Sequence, residues 1–450
     1  MKTYLSNWSL AKLGDICEAI TDGAHNSPKD CPGGLPMASV KDMTRWGINT
    51  SSARTISKQD FERLVAEGCS PIFGDVLLAK DGSSCIETVC EFKQQDRIVL
   101  LSSIAILRSS KNIYSGYLKY YLDSPDTKAL LKAGYVSGSA IPRIVLKDLK
   151  RVPIPVPPLP EQKAIARILG TLDDKIELNQ QMNRNLEEIA QAIFKSWFVD
   201  FDPVRAKMEG RQPVGMDAAT AALFPDSFED SSLGEIPKGW EIVPIGNYVD
   251  AVKGLSYKGS GLSDSGIPLH NLNSVYEGGG YKHEGIKYYI GEYKERHVLH
   301  PGDVIVTNTE QGFKFLLIGF PAIVPKRYGE FGLFSHHLFR VRPLPNSPLT
   351  SHFIYLLLMT ERFRSDVVGY TNGTTVNMLS ADGLKYPLLA VPPQKIISTF
   401  EAIAAPLFEK IEQNYEESRT LVATRDTLLP KLMSGEIRVQ EAEKIVEDVA

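Results

Sequence analysis

The chain has 450 residues, of which 43% are hydrophobic and 23% charged, with a formal net charge of −4. This composition excludes disorder, a collagen-like fibre and a disulfide mini-scaffold, and the length suggests about two to four domains. The longest apolar run, Leu316 to Val324, is broken by Gly319 and Pro321, and the N-terminus has no signal-type apolar segment, so a cytoplasmic protein with no membrane contact is expected.

In chain order, residues 1–150 carry 19 Lys+Arg against 16 Asp+Glu, and 151–237 carry 9 against 14. Residues 238–390 carry 15 against 13, and 391–450 carry 7 against 11. Two mildly basic blocks therefore alternate with two acidic ones, a pattern that the whole-chain charge hides. Cys17, Cys31, Cys69, Cys85 and Cys90 all lie in the first block, odd in number and without zinc-site spacing, and they read as reduced thiols. The runs GDVLLAK, RIVLLSSIAILRS and KRVPIPV predict strands there, and Tyr117 to Lys132 predicts a helix.

Proline punctuation at Pro153 to Pro160 opens a heptad helix. Ile165, Leu172, Asn179, Leu186 and Ile193 interleave with Leu169, Ile176, Asn183, Ala190 and Trp197. Pro203 to Lys238 reads as a linker holding a short helix from Asp217 to Phe224. The second basic block repeats strand runs (GDVIVTN, FSHHLFRVRP) and a helix, His352 to Val367. Pro392 and Pro393 then open a second heptad helix, with Phe400, Leu407, Asn414, Leu421 and Leu428 alternating with Ala404, Ile411, Ser418, Arg425 and Leu432. The final residues, 438–450, read as an acidic tail.

These parallels are an internal repeat. Trp8, Gly14, Ala19 and Pro36 recur 232 residues later, GDV at Gly74 recurs at Gly302, and LDDKIELN at Leu172 recurs as LFEKIEQN at Leu407. Alternating 3–4 spacing over about five heptads is a coiled-coil signature. The alternative, two core helices packed on their own domains, is disfavoured because Glu161 to Val199 spans roughly 58 Å at 1.5 Å per residue. An antiparallel register in which residue numbers sum to 597 sets Asn179 against Ser418 and Asn183 against Asn414 as a polar layer. A parallel pair would also align the asparagines, and the misfit, Leu172 against Arg425, is assigned to snorkelling.

Catalytic signatures are missing. The sequence has no phosphate-binding G-x-x-x-x-G-K-[ST] loop, no G-x-S-x-G elbow and no N-P-P-[YF] segment of amino-methyltransferases. His297 with His300 and His336 with His337 lack a third ligand in the sequence and read as structural. Two similar basic domains on long helices suggest two half-sites at fixed separation, as duplex DNA offers. A two-headed protein-binding adaptor fits the same composition.

The segments PPLPEQKAIARIL at Pro157 and LDDKIELNQQMNRNLEEIAQAIFKSWFVDFDPV at Leu172 resemble the central conserved region of specificity subunits of type I restriction-modification systems. Pro392 to Ile437, ending in RDTLLPKLMSGEI, resembles the distal conserved region of that family. TDGAHNSP at Thr21 and VKGLSYKG at Val252 resemble openings of its target recognition domains.

The resemblance implies an α+β fold of two similar target recognition domains in tandem, separated by two long helices that form an antiparallel coiled coil with a pseudo-two-fold repeat. The segments are 1–157 (domain 1), 158–202 (central helix), 203–237 (linker), 238–391 (domain 2), 392–437 (distal helix) and 438–450 (tail). It also implies a non-catalytic chain that binds no cofactor or metal. Each domain reads half of a bipartite asymmetric site in double-stranded DNA, and the helices set the spacer and dock two modification subunits. Those subunits carry S-adenosylmethionine and methylate adenine N6, and restriction subunits with ATP, Mg and translocation cleave unmethylated DNA.

Base-edge readout favours Arg and Lys for guanine, and Asn and Gln for adenine. The expected DNA-binding candidates are His25, Lys41, Lys80, Ser139 and Arg143 in copy one, and Tyr257, Lys258, Asn273, Asn308, Thr374 and Asn377 in copy two. Phe198 and Phe201 are expected at the interface with a modification subunit, core packing being the alternative.

Overall fold

The computed structural model describes residues 8–447 apart from 139, 313 and 374. The chain divides into two compact units, Met1–Asn179 with Glu417–Ala450, and Gln180–Glu416. Each unit holds one head and a stretch of two long helices, α1 (Leu159–Phe198) and α2 (Gln394–Ser434).

In unit 1 the head is closed by strand Ser9–Lys12 pairing antiparallel with Pro153–Val156, which leads into α1. Gly14 is needed beside this closure, because a Cβ there would sit 3.1 Å from the Lys150 carbonyl oxygen that its own N–H bonds. The main sheet runs Cys17–Asp22, Ile104–Ser109, Val76–Ala79, Val89–Glu91, all antiparallel. A second sheet places Asp30–Ala38 between Arg54–Ile56 and Val99–Leu100, the latter pair parallel. Buried Ile106, Leu77 and Leu107 show the near-continuous apolar character of strands covered on both faces.

Unit 2 repeats this plan. Glu241–Pro244 pairs with Leu388–Val391, and Gly246 packs against Lys385 O as Gly14 does against Lys150 O. The main sheet runs Val249–Lys253, Leu338–Pro343, Val304–Thr307, Pro321–Ile323. The second sheet again contains a parallel pair, Ile267–His270 with Gly332–Phe334. One ion pair is duplicated with it: Arg108 grips buried Asp75 at 3.0 and 2.8 Å, and Arg342 grips Asp303 in the same bidentate way. A register shift between Arg108 and Ser109 places an extra residue in copy one, so the offset drops from 232 at Gly14 to 231 at Gly23 and Gly254.

Each helix expected within a head is in fact two. Ser115–Asp123 stops at Ser124, which is extended (φ −67, ψ 142) and caps Pro125–Gly134 through its hydroxyl. A residue before proline is driven out of the α region, and the Ser-Pro step was the overlooked signal. In unit 2, Thr360 divides Ser351–Met359 from Glu361–Val368.

The segment read as a linker also has structure. Phe201 takes a left-handed φ of 56 at the end of α1, and Asp202–Met208, Ala218–Ala221 and the hairpin Phe228–Ser231/Gly234–Pro237 follow. The segment read as an acidic tail contains a helix, Val439–Glu447, that buries Ala442 and Val446 in the core of unit 1 and pairs Glu443 with Arg167.

Within each unit the long helices pair antiparallel. In unit 1, Ile165, Leu169, Leu172 and Ile176 share a core with Leu421, Leu428 and Leu432. In unit 2, Phe194 and Trp197 pack against Phe400, with ring centroids 5.6 and 6.0 Å apart. The polar layer falls in the register that sums to 597. Asn179 donates to Ser418 Oγ at 3.3 Å and to Glu417 at 2.8 Å, and Asn414 donates to Asn183 Oδ1 at 2.8 Å.

Candidate nucleic-acid interface

In unit 1 the end of strand Cys17–Asp22 turns at Gly23, whose α-carbon lies so near Leu100 that a Cβ would clash with its carbonyl at 2.1 Å. This close approach projects His25 to solvent, with Nε2 3.2 Å from Asp22 Oδ1. Asp22 also holds Lys80 Nζ at 2.9 Å. Next to Lys80, Asp81 forms a bridge with Arg143, whose guanidinium is half exposed and 3.6 Å from the Asp81 carboxylate. Lys41 stands exposed on a 3₁₀ turn, Val40–Asp42, capped by the Ser39 hydroxyl and the Asp42 carboxylate. His25, Asp22, Lys80, Asp81 and Arg143 thus form one continuous polar edge.

Unit 2 builds the same edge from different side chains. The capped turn recurs as Leu272–Ser274, with Asn271 in the place of Ser39 and exposed Asn273 in the place of Lys41. Tyr257 and Asn273 line a cavity of about 610 Å³ with Lys282, Lys287 and His337. Lys258 is exposed beside Tyr257. Burial, followed by the neighbouring His336, lowers the His337 pKa, which favours the neutral ring beside Thr309 Oγ1 at 3.1 Å. Lys282, Lys287 and His337 were missed as candidates. The His336–His337 pair is visible in the sequence, where it reads as structural.

Three candidates lie on this edge but are turned inward. Lys80 is 3% exposed and tied to Asp22. Asn308 is wholly buried, donating to His336 O at 3.0 Å and accepting from Thr309. Asn377 is 3% exposed and donates to Gly312 O. Their polar atoms orient the edge rather than face a groove, a correction that arises because residue type marks a hydrogen-bonding group but not which way its side chain points. Ser139 and Thr374 lie outside the described residues. Among the described residues no group of three or more His, Cys, Asp or Glu is placed to hold a metal ion.

The aromatic residues at the end of α1 also turn inward. Phe201 is 8% exposed and packs edge-on against Trp240 at 5.5 Å, and Phe198 is half-buried among Phe353, Phe400 and Trp240. This corrects their expected exposure to a partner: the left-handed turn at Phe201 folds the following segment over them.

Where the unit 1 head meets the helices, the Leu172/Arg425 misfit resolves into a charged cluster. Arg425 is buried and bonds Asp173 at 2.9 Å, so it does not snorkel. Asp173, 2% exposed, also receives Lys119 at 2.9 Å, Arg45 at 3.1 Å and the Tyr120 hydroxyl at 2.8 Å. Burial alone would raise the Asp173 pKa, but Lys119 and Arg45 overcome it and hold the carboxylate well below its ordinary range. The cluster fixes the head to both helices through one ionised group.

Duplicated α+β heads joined to antiparallel helices, each presenting a polar edge built on the same turn, define an internally duplicated recognition scaffold. The model of the type I restriction modification DNA specificity domain matches residues 5–188. The chain is 29% identical over 333 residues to the type I restriction enzyme MjaIX specificity subunit of Methanocaldococcus jannaschii, covering 73% of this chain and 70% of that one. It is 26% identical to the HindI specificity subunit of Haemophilus influenzae, covering 76% and 82%. Among solved structures, the type I restriction-modification S subunit from M. genitalium superposes with a TM-score of 0.53 at 18% identity, covering 96% of this chain and 98% of that one, a likeness of fold. The matched model and the curated specificity-subunit relatives together support a type I restriction-modification specificity subunit.

Proposed function

We propose that residues 1–157 and 238–391 are two target recognition domains, each reading one half of a bipartite, asymmetric DNA site, and that α1 and α2 set the spacer. The observation that carries this reading is the duplicated edge, which keeps one backbone frame and changes the side chains on it: Lys41 becomes Asn273, and the exposed His25 and Arg143 of one head correspond to the exposed Ser256 and Met378 of the other. Conserved geometry with altered hydrogen-bonding groups suits two different half-sites. Scattered Lys and Arg then position the heads on phosphates without specifying sequence.

Two modification subunits dock on the helices, where Leu178 and Ile189 stand exposed among charged neighbours. They bring S-adenosylmethionine and methylate adenine N6, and restriction subunits with ATP and Mg cleave unmethylated sites, all in the cytoplasm. The heads carry only +3 and +2 over residues 1–150 and 238–390, so tight DNA binding requires the assembled complex.

The test is binding of the chain with its modification subunits to duplexes at graded salt. The log of affinity should fall linearly with log salt, as counterion release demands. Salt-independent or absent DNA binding would favour the protein-binding adaptor.

A further inference from the structure

Unit 2 contains a cavity of about 430 Å³, within the range of small-ligand sites. Tyr276, Tyr281, Tyr355, Tyr415 and Phe408 give it aromatic walls, and Glu187 lies among them. The Tyr355 hydroxyl, on a residue 3% exposed, donates to Glu187. The other bond to that carboxylate comes from Gln191 at 3.4 Å, and among the described residues no cation lies within ion-pair distance of it.

Unit 1 supplies an internal comparison. The 235-residue offset matches Tyr120 with Tyr355. Tyr120 likewise donates to a carboxylate, Asp173, but there the chain's own cations close on the pair: Lys119, Arg45 and Arg425, with the Lys119 ammonium 4.4 Å from the Tyr120 ring centroid. In unit 2 the positions of Lys119 and Arg45 are taken by Ile354 and Glu277, and the place of Asp173 by Phe408. A tyrosine–carboxylate pair recurs with the carboxylate drawn from a different position, without a cation paired to it, and a cavity stands beside it.

We propose that this cavity binds an organic cation, a guanidinium or ammonium group on an alkyl stem, with its charge beside Glu187 and its stem against Tyr355, Tyr415 and Phe408. Aromatic faces attract such cations through their quadrupoles, most strongly where water is excluded. The sign of the ligand follows from Glu187, whose carboxylate is held by the neutral donors Tyr355 and Gln191, in a lining where four carboxylates stand against Arg184, Lys326 and Arg327. Glu412 is already engaged by Lys326 N at 2.6 Å, and Arg327 lies over the Tyr328 ring at 5.1 Å and 3.3 Å from His283 Nδ1. Burial, then Arg327, lowers the His283 pKa to about 4, so the ring adds no positive charge at neutral pH.

The test uses agmatine, titrated calorimetrically into the full chain, with adenosine monophosphate as an anionic control. Glu187→Gln preserves an acceptor for Tyr355 while removing the charge, and an unchanged Tm shows that the variant is folded. Saturable agmatine binding, weakened about tenfold or more by Glu187→Gln and not matched by the nucleotide, is expected. No saturable agmatine binding to the wild-type chain, equal binding to Glu187→Gln, or preference for the nucleotide overturns the proposal. The source of the cation is read by repeating the titration after assembly with modification subunits. Retained binding identifies a free cation, and loss identifies a partner's side chain already seated; either supports the site, which stands apart from DNA reading.

Discussion

Replacing Asp173 by Ala removes the one carboxylate that three cations share. Asp173 and its partners Lys119 and Arg425 are 2%, 8% and 8% exposed, so the charges left behind have little access to water. Deleting Asp173 costs about 3–5 kcal/mol, because Lys119 then keeps a buried charge without a carboxylate, while Arg45 and Arg425 retain Asp123 and Asp426. With a urea slope near 2 kcal/mol per molar, the unfolding midpoint of unit 1 should fall by about 2 M. Arg425→Ala leaves Asp173 with two cations and should cost less, about 1.5–3 kcal/mol. The Asp173 pKa lies below its unfolded value, so its stabilisation is full above roughly pH 4 and is lost as pH falls toward the folded pKa. The gap between wild type and Asp173→Ala should therefore narrow on acidification below that point. Urea titrations followed by circular dichroism at several pH values measure both effects. A gap under about 1 kcal/mol at pH 7, or one that does not change with pH, would refute the reasoning.

Asn183→Leu should destabilise the chain by about 1–3 kcal/mol by removing the acceptor that Asn414 donates to, whereas Asn183→Leu with Asn414→Leu should recover most of it, which denaturant titration of the wild type and both variants would reveal. Inserting four helical residues after Gln180 lengthens α1 by about 6 Å and should widen the preferred spacer by roughly one or two base pairs; an unchanged spacer in methylation maps counts against the helices as a ruler. Arg143→Ala should lower the salt slope of DNA binding by about one if it contacts phosphate, or relax one base position if it reads an edge, and should leave the other half-site untouched.

The repeat, the helix pair and its polar layer were legible because each is written in spacing. Asn179, Asn183, Asn414 and Ser418 fall on seams whose period a sequence displays directly. The break at Ser124-Pro125 was legible in principle, since the steric rule against α before proline is local. Arg425 was not, because its partner Asp173 sits on the other helix and Arg45 and Lys119 arrive from distant parts of the head.

The candidate DNA residues divide in the same way. Lys41 and Asn273 correspond because a capped turn is a local motif, and it recurs around Ser39 and Asn271. Lys80, Asn308 and Asn377 were assigned to the surface by residue type, yet each satisfies its polar group inside its head. Burial of a polar side chain depends on which backbone groups the fold brings to it, and that is set by tertiary pairing rather than by periodicity.

The central claim is that two heads read two separate half-sites. Long-read methylation mapping of cells carrying this chain, and of cells in which residues 238–391 are replaced by the corresponding head of a relative, tests it most directly. The wild-type chain should yield one bipartite, asymmetric adenine-methylation motif, and the exchange should alter one half while preserving the other half and the spacer. A motif that changes in both halves, or in neither, would contradict the account.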